Sequence, residues 1–261
     1  MKTFSDKTDD LDFFLNSKNF LKSKRKTMPD GFKKNKTVNE VLDKLTTLTL
    51  FNLIKSKTIA YVNGVVRAGK ESVVFWAVSP DNNDVALKVY LVTTVSFKKR
   101  ATYILGDPRF SRIKKGTRNL VYLWAKKEHQ NLTRCVQNSI PVVKPITVKN
   151  NVLALEFVGK DGVPAKTLLE SEVNGDDYKS AIRLIKQLYK KARLVHGDFS
   201  EYNIFKTENG LVLFDLGSAV DLEHPKAHEF LKRDIENISN FFVRRGLTVK
   251  NPIDIINEVT K

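Results

Sequence analysis

Cysteine is all but absent. Cys135 stands alone, which excludes a disulfide framework and a cysteine-based zinc site. No apolar run approaches the ~18 residues that a membrane span needs, so no membrane partner is expected. The first residues, Met1-Lys2-Thr3-Phe4, soon meet Asp9, Asp10 and Asp12, which leaves no apolar core for a secretory signal. A reducing, cytoplasmic compartment fits these absences. Acids are also in short supply: 29 Asp+Glu face 45 Lys+Arg, a net charge of +16. A folded domain has no structural use for that excess, so a polyanionic partner is expected. Internal repeats are missing too. What the chain does have is 261 residues, 41 % of them hydrophobic. That suffices to bury a real core, as one large domain or as two lobes.

Residues 1–36 hold ten Lys/Arg and five Asp/Glu around short Phe/Leu clusters. They read as a basic tail that orders on a partner rather than as a packed helix. Val41, Leu45, Leu48 and Phe51 fall at helical spacing and predict a helix over 38–56. From Thr58 to Val92 the pattern turns to strands: 58–66, 72–78 and 84–92, with turns at Arg67–Glu71 and Pro80–Asn83. Residues 97–118 are basic, with Lys98, Lys99, Arg100, Arg109, Arg112, Lys114, Lys115 and Arg118 facing one acid, Asp107. A helix is predicted over 120–138, a hairpin over 141–158, an amphipathic helix over 176–193, and short strands at 203–206 and 211–215. A last helix follows over 225–245. Strands dominate first and helices later, an α+β layout in two lobes. The first lobe is expected over 37–158, with the basic insertion at 97–118 inside it. The second is expected over 159–261, with a hinge near Glu156–Gly162.

The strongest chemical signal is His196-Gly197-Asp198-Phe199-Ser200-Glu201-Tyr202-Asn203, followed by Phe214-Asp215-Leu216-Gly217. An Asp, an Asn five residues on, and a second Asp just after a short strand suit phosphoryl transfer. That chemistry needs one carboxylate near the attacking hydroxyl, and an amide oxygen plus another carboxylate to hold Mg²⁺ against phosphates. Upstream, the period of two in Asp84-Val85-Ala86-Leu87-Lys88-Val89-Tyr90 puts Ala86 and Lys88 on one face. A small residue beside a Lys leaves room for an adenine ring and sets an ammonium near phosphates, as in the Val-Ala-Ile-Lys strand of protein kinases. Taken alone, Lys88 also reads as an ordinary exposed strand lysine. Val121, Trp124, Glu128, Leu132 and Cys135 form one stripe on the 120–138 helix, so Glu128 is a charge on an apolar face. It reads either as a peripheral, snorkelling Glu or as the helix Glu that pairs with the strand Lys. The turn around Gly69, Lys70 and Ser72 could lay backbone N–H groups over phosphates. As a motif it is weak, lacking both the Walker ending and the full kinase glycine triplet.

These residues together resemble the RIO family of atypical serine/threonine protein kinases, in its type-one subgroup, including the archaeal-like members. The likeness runs over roughly 40–250. It is carried by Gly69-Lys70-Glu71, Ala86-Leu87-Lys88-Val89-Tyr90, Gly106-Asp107-Pro108-Arg109-Phe110, Leu123-Trp124-Ala125 with Lys127-Glu128 and Asn131-Leu132, Glu156-Phe157-Val158-Gly159, His196-Gly197-Asp198 through Asn203-Ile204, and Phe214-Asp215 with Gly217. The resemblance implies a small bilobal protein-kinase-like fold, ATP with Mg²⁺ (or Mn²⁺ in its place), and a role in maturing the small ribosomal subunit. It makes Asp198 the catalytic Asp, Asn203 and Asp215 metal ligands, Lys88 the phosphate-binding lysine and Glu128 its positioning partner. Backbone at Glu156 and Val158 would hold adenine, Gly69, Lys70 and Ser72 would line the phosphates, and residues 91–118 would form the family's flexible loop after the Lys strand, here a basic one. Two departures stand out. Arg67-Ala68 replaces the family's usual Ser-Thr before Gly-Lys-Glu, and Asp215-Leu216-Gly217-Ser218 replaces Asp-Phe-Gly-Gln.

Some kinase parts are missing. There is no Ala-Pro-Glu motif and no long activation segment, and Gly197 replaces the Arg of His-Arg-Asp. The helices that lay peptides on protein kinases do not fit in the short remainder after Asp215. This argues against efficient general peptide phosphorylation and for ATP hydrolysis or autophosphorylation as a switch, with phosphorylated Asp215 as the form the resemblance suggests. Three readings stand: a RIO-type kinase/ATPase acting on a small-subunit precursor and its RNA through the 97–118 loop and the tail; a small-molecule phosphotransferase of the aminoglycoside or choline type; and a catalytically idle RNA-binding scaffold. The oligomeric state is left open.

Overall fold

A computed structural model describes residues 42–92, 101–110 and 116–261. The tail over 1–36 lies outside the described residues, as do Lys98, Lys99, Arg100, Arg112, Lys114 and Lys115 of the basic segment. The chain divides into two compact units, 1–94 with 146–164 and 95–145 with 165–261.

The first unit opens with helix α1 (Lys44–Lys55), whose Asp43 side chain accepts from the Thr46 N–H at 2.8 Å. This is an N-cap that satisfies one of the orphan donors of the first turn. Strands β1 (Tyr61–Ala68), β2 (Ser72–Val78) and β3 (Asp84–Tyr90) follow, and β4 (Pro145–Lys149) and β5 (Val152–Glu156) complete one sheet in the order β1-β2-β3-β5-β4. Val73, Phe75 and Ala77 of β2 and Val85, Leu87 and Val89 of β3 alternate into a core shared with Leu50 and Leu53 of α1. The face α1 buries is not the one its sequence suggests. Leu45 is exposed, while Thr46, Thr47, Thr49, Leu50 and Leu53 are buried. Hydrogen bonding explains the shift. Asn151 donates to the Thr46 hydroxyl and to the Tyr90 carbonyl, both at 2.8 Å, and Asn150 donates to the Thr49 hydroxyl at 2.9 Å. Paired hydroxyls can be buried at little cost.

The unit extends past the expected hinge. A short ribbon, β6 (Gly159–Lys160) with β7 (Val163–Pro164), stays with the sheet. Asp84 holds it by accepting from Trp76 Nε1 at 2.7 Å and from the Asp161 N–H at 3.1 Å. Gly162 has φ +76, and a Cβ there would lie 2.4 Å from the Trp76 ring. Only glycine fits.

The second unit is mostly helical: α2 (Thr117–Gln137), α3 (Gly175–Lys190), α4 (Ala227–Arg244) and α5 (Pro252–Thr260). Two ribbons accompany them, β8 (Leu194–Val195) with β11 (Val220–Asp221), and β9 (Ile204–Thr207) with β10 (Gly210–Leu213). Asn174 and Asp177 form a reciprocal capping box at the start of α3. That helix buries Tyr178, Ala181, Ile182, Leu184, Ile185 and Leu188 on one side. Each large apolar group there contributes about 1.5–3 kcal/mol. The sequence reading did not predict α5. Its signal was short, with Asn251 capping, Pro252 at the first position and only Ile255 and Val259 buried, four residues apart.

The α+β class holds, but the lobe boundary differs from the one expected. Helix α2, read as part of a first lobe over 37–158, belongs to the second unit. Its buried Lys127 and Asn131 bond to carbonyls of residues 216–219, which ties it there.

Candidate active site

The two ribbons of the second unit deliver the chemical residues to one place. Val195 pairs with Val220, so the chain leaving β8 through His196-Gly197-Asp198 runs beside the chain entering β11 through Asp215–Ala219. Ile204 pairs with Leu213, so Asn203 and Phe214 flank the same end of the second ribbon. The Phe214 N–H donates to the Asn203 carbonyl at 3.0 Å, which sets Asp215 next along the chain. Asn203 Nδ2 donates to the Asp198 carbonyl at 2.9 Å and to Asp198 Oδ2 at 3.2 Å. Asp198 and Asn203 are therefore in contact, and the backbone of Asp215 lies one residue beyond the Asn203–Phe214 bond. With its nitrogen committed to Asp198, Asn203 keeps its amide oxygen for a cation. Oxygen donors of this kind suit Mg²⁺, which takes few protein ligands and completes its shell with phosphate and water. Among the described residues no group of three or more His, Cys, Asp or Glu has metal-holding geometry. A metal shared with a nucleotide agrees with that donor set.

The turns themselves are held from below. Asp234 of α4 is 1 % exposed and accepts from the Gly197 N–H at 2.7 Å and the Phe199 N–H at 3.0 Å. Burial pushes its carboxyl up to about 7, against the pull of those two N–H groups and of Arg233. Arg233 donates to the Gly197 carbonyl and, at 3.1 Å, to the Tyr103 hydroxyl. Gly197 itself has φ +74, and a Cβ would lie 2.9 Å from the Ser218 carbonyl oxygen. Close contact between the two turns thus explains a glycine where protein kinases carry Arg.

Behind Asp215 lies helix α2. The apolar stripe Val121, Trp124, Leu132 and Cys135 is fully buried, and so is Glu128. Beside it, Lys127 is also fully buried and donates to the Gly217 carbonyl at 2.9 Å and to the Ala219 carbonyl. Desolvation, reinforced by nearby Arg109, lowers its pKa to about 7 despite the attraction of Asp107. Asn131 donates to the Leu216 and Ala219 carbonyls at 2.8 and 2.9 Å. Arg109 donates through Nε and Nη2 to the Asp107 carboxylate, at 2.8 and 2.6 Å, and through Nη1 to Asn131 Oδ1 at 2.7 Å. Burial alone would raise the Asp107 carboxyl, but the Arg109 guanidinium outweighs it and holds the pKa below the usual range.

Sequence reasoning assigned no role to Lys127, Asn131, Arg233 or Asp234. The one available signal was position. Lys127 and Asn131 are four apart, beside the apolar stripe, and Asp234 interrupts the buried run Phe230, Leu231, Ile235 and Ile238.

The other candidates lie in the first unit. Lys88 is 7 % exposed, opposite Val74 on β2 and Leu153 on β5, with Nζ 5.2 Å from the centre of the Tyr90 ring. Ala86 lies opposite Leu155, and Glu156 opposite Val85 at the end of β5. Val158 follows, half-buried. The β1–β2 turn exposes Gly69 and Lys70 and leaves Ser72 half-buried, and the Gly69 N–H closes it on the Ser72 carbonyl at 2.9 Å. Lys88 and Glu128 belong to different units.

Residues 73–254 match the family model described as the RIO domain. The chain is 40 % identical over 230 residues to the RIO-type serine/threonine-protein kinase Rio1 of Methanocaldococcus jannaschii, covering 87 % of this chain and 77 % of that protein. It is 37 % identical over 219 residues to the serine/threonine-protein kinase RIO1 of Caenorhabditis elegans, covering 82 % of this chain. The chain spans only 43 % of that nematode relative and 41 % of the Dictyostelium discoideum one. In fold it resembles the Rio2 kinase of Chaetomium thermophilum, solved as an ADP/Mg²⁺-phosphoaspartate complex. The TM-score is 0.63 at 23 % identity, over 82 % of this chain and 66 % of that one.

Proposed function

The chain belongs to the RIO domain family, and from that premise we propose that it is an ATP- and Mg²⁺-dependent serine/threonine kinase/ATPase acting in maturation of the small ribosomal subunit. The observation that carries the proposal is the convergence of Asp198, Asn203 and Asp215 on one end of two ribbons. Asp198 would accept the proton of the attacking hydroxyl or water. Asn203 and Asp215 would hold the metal, which when bound neutralises charge on the phosphates. From the first unit, Lys88 would meet the phosphates, with Glu128 as its positioning partner. Backbone at Glu156 and Val158 would take adenine, and the turn with Gly69, Lys70 and Ser72 would cover the phosphates.

Only five residues, 222–226, separate β11 from α4, so among the described residues a long activation segment has no place. That favours hydrolysis or autophosphorylation as a switch. The γ-phosphoryl group would pass to a hydroxyl or to the Asp215 carboxylate, breaking its bond to the β-phosphate oxygen and leaving ADP. The net charge of +16 and the basic segment over 97–118 support a ribosomal precursor RNA as partner. No helix of the described residues is long and apolar enough to cross a membrane, in keeping with a cytoplasmic place of action. The deciding measurement is ATP turnover, and label transfer from γ-labelled ATP, with and without small-subunit precursor particles. Stimulation by particles supports the proposal. Transfer to small amino sugars or choline would favour the small-molecule reading, and absence of turnover in both arms would leave a scaffold.

A further inference from the structure

Asp215 has φ +60, a left-handed conformation. For a residue other than glycine that conformation is strained and persists only where the surroundings impose it. The surroundings here are three carbonyls just after it. Leu216, Gly217 and Ala219 are each held by a side chain of α2, through Asn131 or Lys127. Asn131 is fully buried, and an amide can be turned either way. What fixes it is Arg109, whose Nη1 claims the oxygen and so commits the nitrogen to the two carbonyls. Turned over, the oxygen of Asn131 would face two carbonyl oxygens and repel them.

Arg109 is set in turn by its two bonds to Asp107, which is 1 % exposed. The segment 101–110 that carries both is clipped to α4 and to the turn before it. Lys226 N–H donates to His224 Nδ1, so Nε2 carries the proton and donates to the Thr102 and Leu105 carbonyls, both at 3.0 Å. Tyr103 stacks on Phe230 at 5.0 Å. A surface segment is thus linked through two side chains to the backbone that aims Asp215.

We propose that Arg109 and Asn131 are positioning residues for the Asp215 carboxylate, and that segment 101–110 sets through them how well the site holds its divalent cation. This deepens the proposed function and rests on its assignment of Asp215 as a metal ligand.

The test uses the full chain and two variants that keep most of the packing. Arg109→Lys keeps the charge but cannot serve Asp107 and Asn131 together. Asn131→Asp keeps the shape and pairs with Arg109 and Lys127, but offers no donor to Leu216 or Ala219. A fluorescent ATP analogue is titrated in EDTA and then in Mg²⁺, and amide exchange is followed over 215–220. Both variants should bind within about twofold of wild type in EDTA. The gain in affinity on adding Mg²⁺ should fall about tenfold, the net worth of one hydrogen bond. Exchange over 216–219 should quicken. A Mg²⁺ gain equal to wild type in both variants overturns the proposal, as does a parallel loss in EDTA and Mg²⁺ accompanied by a lower melting temperature. Asp215→Ala separates the two levels of inference. If it leaves the Mg²⁺ gain intact, the metal assignment fails. In that case unchanged exchange over 216–219 in the variants overturns the relay, and faster exchange upholds its structural half.

Discussion

Asp234→Asn tests how the turn that carries Asp198 is held. The carboxylate accepts two N–H groups, from Gly197 and Phe199, on either side of Asp198. An Asn keeps the shape and one acceptor oxygen but sets an NH₂ against the other N–H. Leaving one buried donor unsatisfied costs about 1–3 kcal/mol, which a domain of ordinary stability survives. A backbone shift of about 1 Å at Asp198 can cost about 10² in turnover. Urea unfolding and ATP turnover on the same sample measure both. The pH profile adds a signature of its own. The carboxyl titrates at about 7 in the fold, against 3.8 as its ordinary value. Between those pH values the folded chain holds a proton that the unfolded chain has lost. Unfolding free energy from this group therefore falls as pH rises from about 4 to about 7 and is level above, with a slope of at most about 1.4 kcal/mol per unit. Asp234→Asn should lack that component. Equal pH dependence in variant and wild type, or unaltered stability and turnover, would refute the reasoning.

Other perturbations reach other parts of the site. Asp198→Ala should leave ATP binding within a few-fold and lower turnover by roughly 10²–10⁴; wild-type turnover at saturating ATP would remove its role. Gly217→Ala puts a Cβ 2.7 Å from Nε1 of the fully buried Trp124. It should destabilise by about 1–3 kcal/mol, read by thermal melting, and a neutral result would mean that the turn moves freely. Changing Lys98, Lys99, Arg112 and Lys114 to Glu should weaken binding to any RNA and flatten its salt dependence, about 0.9 log unit per lost duplex phosphate contact. Basal ATP turnover should stay the same. If label from γ-labelled ATP sits on Asp215, it should be sensitive to hydroxylamine; acid-stable phosphoserine as the only product would count against that switch.

Much of the site was legible because its residues are close in the chain. Asp198 and Asn203 are five apart and share one loop, and Asp215 follows the return strand of the same ribbon, so covalent spacing alone confines them. The alternation in β3 was equally plain, since the period of two follows from the pleat: Val85, Leu87 and Val89 are buried in the core. The face of α1 was misread because Thr46 and Thr49 look polar in sequence. Their burial depends on Asn151 and Asn150, about a hundred residues away.

The sequence by itself determined the family likeness, most of the strands and helices, and the excess of positive charge. Each is set by local spacing or composition. Tertiary structure alone decided that Lys127, Asn131 and Asp234 bond to the turns that carry Asp198 and Asp215, and that α2 belongs with the second unit. Lys127 bonds to carbonyls 90 and 92 residues away, Asn131 to carbonyls 85 and 88 away, and Asp234 to an N–H 37 away. A polar side chain on a helix reads as solvent-facing until the fold supplies its partner. Here the partner is a backbone group, which carries no side-chain identity for the sequence to display.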